Sequence, residues 1–157
     1  MNHQTSEPPN RGTAAAGATY NYRNLRAWQE AQELAAEIVA IVRVLPRDPA
    51  TAAITRQLVA AAGSVPANIA EGHGRFSRAA YRNHLSIAKG SACEADSWLD
   101  LLRRTGHISP EQEGSLHRRL TALVALLTHK MRALEHDADG RVREDQERYG
   151  TDDDWQG

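Results

Sequence analysis

One cysteine, Cys93, in 157 residues cannot close an intrachain disulfide and has no CxxC neighbour for a structural zinc, so both of those frameworks are excluded. No apolar run reaches the roughly 18 residues of a membrane-spanning helix. The opening MNHQTSEPPN has neither the basic start nor the apolar core of a secretion signal, and the expected location is therefore the cytoplasm. The seven histidines, at positions 3, 73, 84, 107, 117, 129 and 136, form no H-E-x-x-H and no histidine pair at i,i+4 spacing, so metal-dependent catalysis finds no motif and no metal or other cofactor is expected. No segment reads as a β-strand.

What is present is an ordinary soluble composition, 41% hydrophobic and 25% charged, at a length that suits one domain. The net charge of -1 is unevenly distributed. Residues 20–135 hold 15 Lys and Arg against 11 Asp and Glu, a net of +4, whereas residues 136–157 hold 3 against 8, a net of -5. A mildly basic body carries an acidic tail. Such asymmetry suits a polyanion-binding body whose tail competes for it, and equally a tail that serves only solubility.

Residues 1–19 contain paired prolines, glycines and small residues without an apolar period, and read as a disordered leader. From there Leu25, Trp28, Ala31, Ala35, Ile38, Val42 and Leu45 recur at spacings of three and four, one buried helical face, until Pro46 stops it. Asp48 offers an N-cap and Pro49 a first helical residue for a second helix with the stripe Ile54, Leu58, Ala61, Val65 and Ile69. Gly72 and Gly74 read as its exit, with glycine in a left-handed cap. Ser77 caps a third helix over about 78–104, which carries Tyr81, Leu85, Ala88, Ala92, Ala95, Leu99 and Leu102 on one face and is closed by Thr105 and Gly106. Ser109, Pro110 and Glu111 open a fourth, with Leu116, Leu120, Leu123, Leu127 and Leu134 on one side; beyond His136 the pattern dissolves.

Three short connections between four long helices predict an all-α fold, an antiparallel up-down-up-down four-helix bundle over residues 20–136, with the leader at 1–19 and an acidic tail at 137–157. Helices of about 20 residues make a rod of roughly 30 Å. The many alanines at core positions leave little apolar area per layer, which favours a larger assembly.

Candidate sites concentrate between Gln57 and Leu101. Pro66, inside a helix, removes one hydrogen bond and frees the carbonyl of Ala62. Ser64, Asn68 and Glu71 cluster near that weak point, and Ser91 and Glu94 of the third helix are placed to complete a structural polar layer that fixes register. Glu71 and Glu94 as a proton-sharing pair would be the catalytic alternative, but no histidine stands at ligand spacing, and no catalysis is expected. GHGRFS lacks the third glycine and the preceding strand of a phosphate loop, and the S-x-x-K at Ser86–Lys89 lacks the companion S-D-N and K-T-G of a serine hydrolase.

Charge is more informative, because no Asp or Glu occurs from Gly72 to Cys93 while Arg75, Arg78, Arg82 and Lys89 do. Spacings of three, four and seven put these four on one stripe. The stripe suits a phosphate backbone, and would equally serve as a solvated face that keeps a bundle soluble. On another side of the third helix Ile87, Trp98 and Leu101 form a second apolar strip, which one bundle cannot bury together with the first; it is expected to meet another subunit.

The segments YRNLRAWQEAQELA, QLVAAAGSVPANIAEGHGR and YRNHLSIAKGSACEADSWLDLL together resemble the four-helix bundle proteins encoded in intervening sequences of bacterial 23S ribosomal RNA genes, over roughly Tyr20 to Leu134. The family's tryptophan and its serine, asparagine, glutamate and glycine have counterparts in Trp28, Ser64, Asn68, Glu71 and Gly72. The resemblance implies an antiparallel bundle that assembles as a homo-oligomeric ring, commonly a pentamer. A more distant resemblance, to the accessory variability determinant proteins of diversity-generating retroelements, implies a reverse transcriptase and nucleic acid as partners. Those proteins are strongly basic, whereas this body carries only +4. The expected function is a non-enzymatic oligomeric scaffold that engages RNA or an RNA-associated protein, with a protein-only adaptor as the alternative; the tail ending DDDWQG reads either as a peptide that docks Trp155 on a partner or as disordered filler.

Overall fold

Side chains that satisfy otherwise free backbone amides set the starts of three of the four helices. The computed structural model describes the backbone of residues 21–148 and the side chains of residues 21–135; the leader expected at 1–19 and the end of the tail with Trp155 lie outside the described residues. After a 3-10 turn at Tyr22–Asn24 come α1 (Arg26–Val42), α2 (Pro49–His73), α3 (Arg78–Arg104) and α4 (Pro110–Arg148), joined by connections of six, four and five residues.

The Asp48 carboxylate caps α2 by accepting from the amides of Ala50 at 3.0 Å and Thr51 at 3.1 Å. Ser77 Oγ accepts from the Ala80 amide at 3.1 Å to cap α3. Ser109 and Gln112 exchange bonds at the head of α4, the Gln112 amide donating to Ser109 Oγ at 3.2 Å and the Ser109 amide to Gln112 Oε1 at 3.0 Å, a capping box.

Side-chain pairs establish the direction of α3 against both of its neighbours. Ser64 meets Ser91 and Asn68 meets His84 across α2 and α3; Arg103 faces Glu113, Asp96 faces His117 and Arg82 faces Glu135 across α3 and α4. In each set the numbers fall on one helix as they rise on the other, so the helices are antiparallel. Arg119 of α4 pairs with Glu37 of α1 and lies 3.8 Å from Glu33, which closes the ring of four. α1 packs on α2 and α4, and α3 packs on α2 and α4. The fold is an all-α four-helix bundle, and no strand occurs among the described residues. No helix there is long and apolar enough to cross a membrane.

The core is aliphatic and alanine-rich. Its largest fully enclosed side chains are Ile38, Leu58, Ile69, Leu85, Leu99, Leu102, Leu116 and Leu127, interleaved with Ala31, Ala61, Ala88, Ala92 and Ala95. The expected stripes of α3 and α4 face inward, with Tyr81 and Leu134 at the margins. In α1 the buried line is Ala31, Leu34 and Ile38, so Leu34 takes the place that the spacing assigned to Ala35. Ile108, in the last connection, adds to the core.

Two helix ends differ from expectation. Gly72 lies inside α2, and Gly74 caps that helix with φ -78°, an ordinary right-handed conformation, so neither is a left-handed cap. The left-handed residue is Gly106, φ +74°, after α3. Its amide donates to Arg103 O at 3.0 Å and the His107 amide to Leu102 O at 2.9 Å, the two bonds of a Schellman motif. α4 continues as helix to Arg148, past the point where its apolar period stops; from Arg141 onward three arginines, two glutamates and a glutamine favour helix.

Among the described residues one polar side chain is enclosed. Thr51, 1% exposed, donates from Oγ1 to Asp48 Oδ2 at 2.6 Å and lies 2.9 Å from His107 Nε2. Since the hydroxyl proton goes to Asp48, its oxygen accepts from His107 Nε2–H, which ties the head of α2 to the α3–α4 connection. That hydroxyl is the main reason the Asp48 carboxyl titrates below its ordinary range. Thr51→Val keeps the shape and deletes both bonds. The expected loss is about 1–3 kcal/mol, because the imidazole is left without its acceptor. A lowered urea midpoint at unchanged slope, with the Asp48 pKa moving up by NMR, checks it.

Candidate functional site

At Gly72 α3 packs directly against the α2 backbone. A Cβ there would stand 2.7 Å from His84 Cβ and 2.8 Å from Tyr81 Cδ2, so only glycine permits this approach. The proximity brings polar residues of the two helices into one seam. Ser91 Oγ donates to Ser64 Oγ at 3.1 Å, and Asn68 Nδ2 donates to Ser64 Oγ at 3.0 Å and to Ser64 O at 2.9 Å. His84 Nδ1 lies 3.3 Å from Asn68 Oδ1, and His84 Nε2 lies 3.8 Å from Glu71 Oε1, which also accepts from Arg75. Ser64, Asn68, Glu71 and Ser91 are thus brought together.

Glu94 is not part of the seam. It is exposed and accepts from the indole N–H of Trp98 at 3.3 Å. No carboxylate therefore faces Glu71 across the seam, and the acid–base pair considered from sequence has no geometry. His84, which links Asn68 to Glu71, is a residue that sequence reasoning missed; the only signal was its position twelve residues beyond Gly72.

The basic residues divide between turn and helix. Arg75 precedes α3, within the α2–α3 connection, so the helical stripe comprises Arg78, Arg82 and Lys89. Arg75 pairs with Glu71, and Arg82 Nη1 donates to Glu135 Oε1 at 2.6 Å. Arg78 and Lys89 are half-buried. Between Arg75 and Arg78 stands Phe76, the chain's one phenylalanine, with its side chain wholly in solvent. The sequence reading gave Phe76 no role.

Ile87 is 44% exposed, and Trp98 and Leu101 are half-buried. Helical spacing puts Ile87 and Trp98 on the line of Ser91, so this strip borders the seam. On the α2 side the same border is lined by exposed Ala60, Gly63 and Ala67.

A third group lies across α3 and α4. His117 Nδ1 stands 2.9 Å and 3.1 Å from the two Asp96 oxygens, and the Asp96 carboxylate, with Glu113 nearby, raises the imidazole's pKa above its ordinary value. Near the end of α3 Asp100 holds both Arg104 at 2.6 Å and Arg103 at 2.7 Å, and these bonds, that from Arg104 foremost, lower its pKa. Cys93 is exposed and free.

A closed antiparallel ring of four helices with a hydrogen-bonded polar seam between the second and third defines a small all-α bundle protein. The chain belongs to the family described as 23S rRNA-intervening sequence protein, which it matches over residues 23–129. It is similar to a crystal structure of a protein with unknown function from the S23 ribosomal protein family of Bacteroides thetaiotaomicron VPI-5482. The two share 31% identity with a TM-score of 0.63, over 67% of this chain and 97% of that chain. No curated protein matches the chain significantly.

Proposed function

We propose that this protein is a non-enzymatic, oligomeric bundle scaffold that engages RNA through the α2–α3 turn and the first half of α3. The observation that carries the reading is Phe76. Its ring stands in water at the tip of a turn, between Arg75 and Arg78, in a stretch without a carboxylate from Gly72 to Cys93. An exposed ring beside guanidinium groups suits an unpaired base, which stacks on the ring while the arginines meet its phosphates. The partners of Arg75 and Arg82, Glu71 and Glu135, are themselves 52% and 60% exposed. Such pairs are worth about 0–1 kcal/mol, so exchanging them for phosphate costs little.

Assembly is assigned to the outer face of the seam, where Ile87, Trp98 and Leu101 adjoin Ala60 and Ala67. Gly63 and Gly90 support this. Both are exposed helix-interior glycines with nothing within 4 Å of where a Cβ would sit. Each costs about 0.5–1 kcal/mol relative to alanine, and a second copy packed closely on that face supplies the reason for them. The ring size that the resemblance implies is a pentamer. This apolar face is also what favours the second reading, a protein-only adaptor such as a reverse-transcriptase accessory subunit.

Salt separates the two. Four phosphate contacts on a single strand give a log–log slope near -3, so RNA affinity should fall roughly 50-fold between about 50 and 200 mM salt. Fluorescence anisotropy with a loop-containing RNA is expected to show that slope. Replacing Arg75, Arg78, Arg82 and Lys89 together by glutamine should flatten it, and Phe76→Ala should weaken binding about 5- to 100-fold, the worth of one stacked base. Affinity indifferent to all five substitutions would remove the turn from consideration and make the adaptor reading primary.

A further inference from the structure

Away from the seam and the basic turn, three ligand-bearing side chains meet where α3 and α4 lie side by side. Asp96 of α3 and Glu113 and His117 of α4 place two carboxylate oxygens and an imidazole nitrogen within 4.8 Å of one another. Glu113 and His117 are one helical turn apart and share a face, and the antiparallel register sets Asp96 opposite them. We propose that this trio is a binding site for one divalent first-row transition ion of the zinc class, which pins α3 to α4.

The donor set selects the ion. An imidazole nitrogen suits zinc, nickel or copper and is a poor ligand for magnesium or calcium, which take oxygen shells. Two carboxylates and one imidazole offset the ion's charge and leave a fourth position open for water. With bonds of about 2.0–2.2 Å, a tetrahedral ion holds its ligand atoms roughly 3.3–3.6 Å apart, so no pair in the trio needs to close by more than about 1.5 Å and the His117–Asp96 contact opens slightly, changes on the scale of a side-chain rotation.

The surroundings permit that closure. The side chains of Asp96, Glu113 and His117 are 31%, 19% and 52% exposed, so an ion enters without the bundle opening. Arg103 Nε lies 3.9 Å from Glu113 Oε2, but its closer partner is Asp100 at 2.7 Å, so Glu113 is not committed to it. The present His117–Asp96 contact at 2.9 Å is one that an ion replaces, taking the place of the shared proton.

The test is calorimetric titration of the full chain with zinc chloride, in a Cys93→Ser background that removes the exposed thiol. The expected result is one saturable ion per chain, reversed by EDTA, with Tm raised by about 5–10 °C at a hundredfold excess over Kd. His117→Ala, Asp96→Asn and Glu113→Gln should each weaken binding at least about tenfold. Cobalt(II) gives a second readout: visible absorption of a low-coordinate site in the parent, lost in His117→Ala, while circular dichroism reports that the variant remains helical. Zinc binding that is absent, or equally strong in all three variants, overturns the proposal.

Discussion

Replacing Gly72 by alanine is expected to destabilise the bundle by about 1–3 kcal/mol, although the same change in an open helix would stabilise it by about 0.5–1 kcal/mol. The backbone does not object, since Gly72 has no left-handed conformation to lose. The conflict is steric. His84 Cβ, 2.7 Å from the new methyl, is fixed to the α3 backbone, and the Tyr81 carbonyl at 3.3 Å is backbone itself, so relief requires α3 to move away from α2. That movement stretches the Asn68–His84 contact at 3.3 Å and loosens the packing of enclosed Ile69 and Leu85. Gly74→Ala, two residues on, meets only ordinary contacts, the nearest the Glu71 carbonyl at 3.5 Å, and should be neutral or mildly stabilising. Urea melts of the two variants check the pair. A stable Gly72→Ala protein would mean that the helices are not held as close as the seam requires.

The contrast between these glycines marks where sequence was readable and where it was not. Helical period located all four helices, as in α3, which repeats its apolar residues faithfully from Leu85 to Leu102, and recognisable caps, Asp48, Ser77 and Ser109, marked the starts of α2, α3 and α4. In α1 the period was ambiguous, since adjacent Leu34 and Ala35 both fit it, and only packing against α2 and α4 chose Leu34. Gly72 and Gly74 look alike in sequence. One is demanded by the neighbouring helix and the other by nothing, a distinction that exists only once α3 is in place. In the polar seam, helical spacing set Ser64, Asn68 and Glu71 on one helix and Ser91 on the next, where Ser91 meets Ser64. Glu94, by contrast, turns to the Trp98 indole on its own helix. Asp96, Glu113 and His117 were invisible because Asp96 and Glu113 lie 17 positions apart and only the antiparallel register of α3 and α4 joins them.

Leu99→Ala should cost about 2–5 kcal/mol, a large part of the roughly 5–15 kcal/mol that holds a domain of this size. Leu99 is completely enclosed, and along its face of α3 the preceding core positions Ala88, Ala92 and Ala95 carry only methyl groups. Apolar volume on this helix therefore sits at its two ends, in Leu85 and in the Leu99–Leu102 pair, while the alanine centre lets helices approach closely. Removing Leu99 empties one end, and the methyl-lined centre has no spare side chain to fill the space. The complementary change, Ala92→Leu, adds bulk where no exposure remains and should cost about 1–3 kcal/mol through forced separation of the helices. Thermal melts at several protein concentrations give both values and one more discrimination. If the outer α2–α3 face is joined to another copy, Tm rises with concentration in the parent and in both variants, because association adds stability by mass action. If the chain stands alone, the two substitutions lower Tm by amounts independent of concentration, and the alanine-rich core is sufficient by itself.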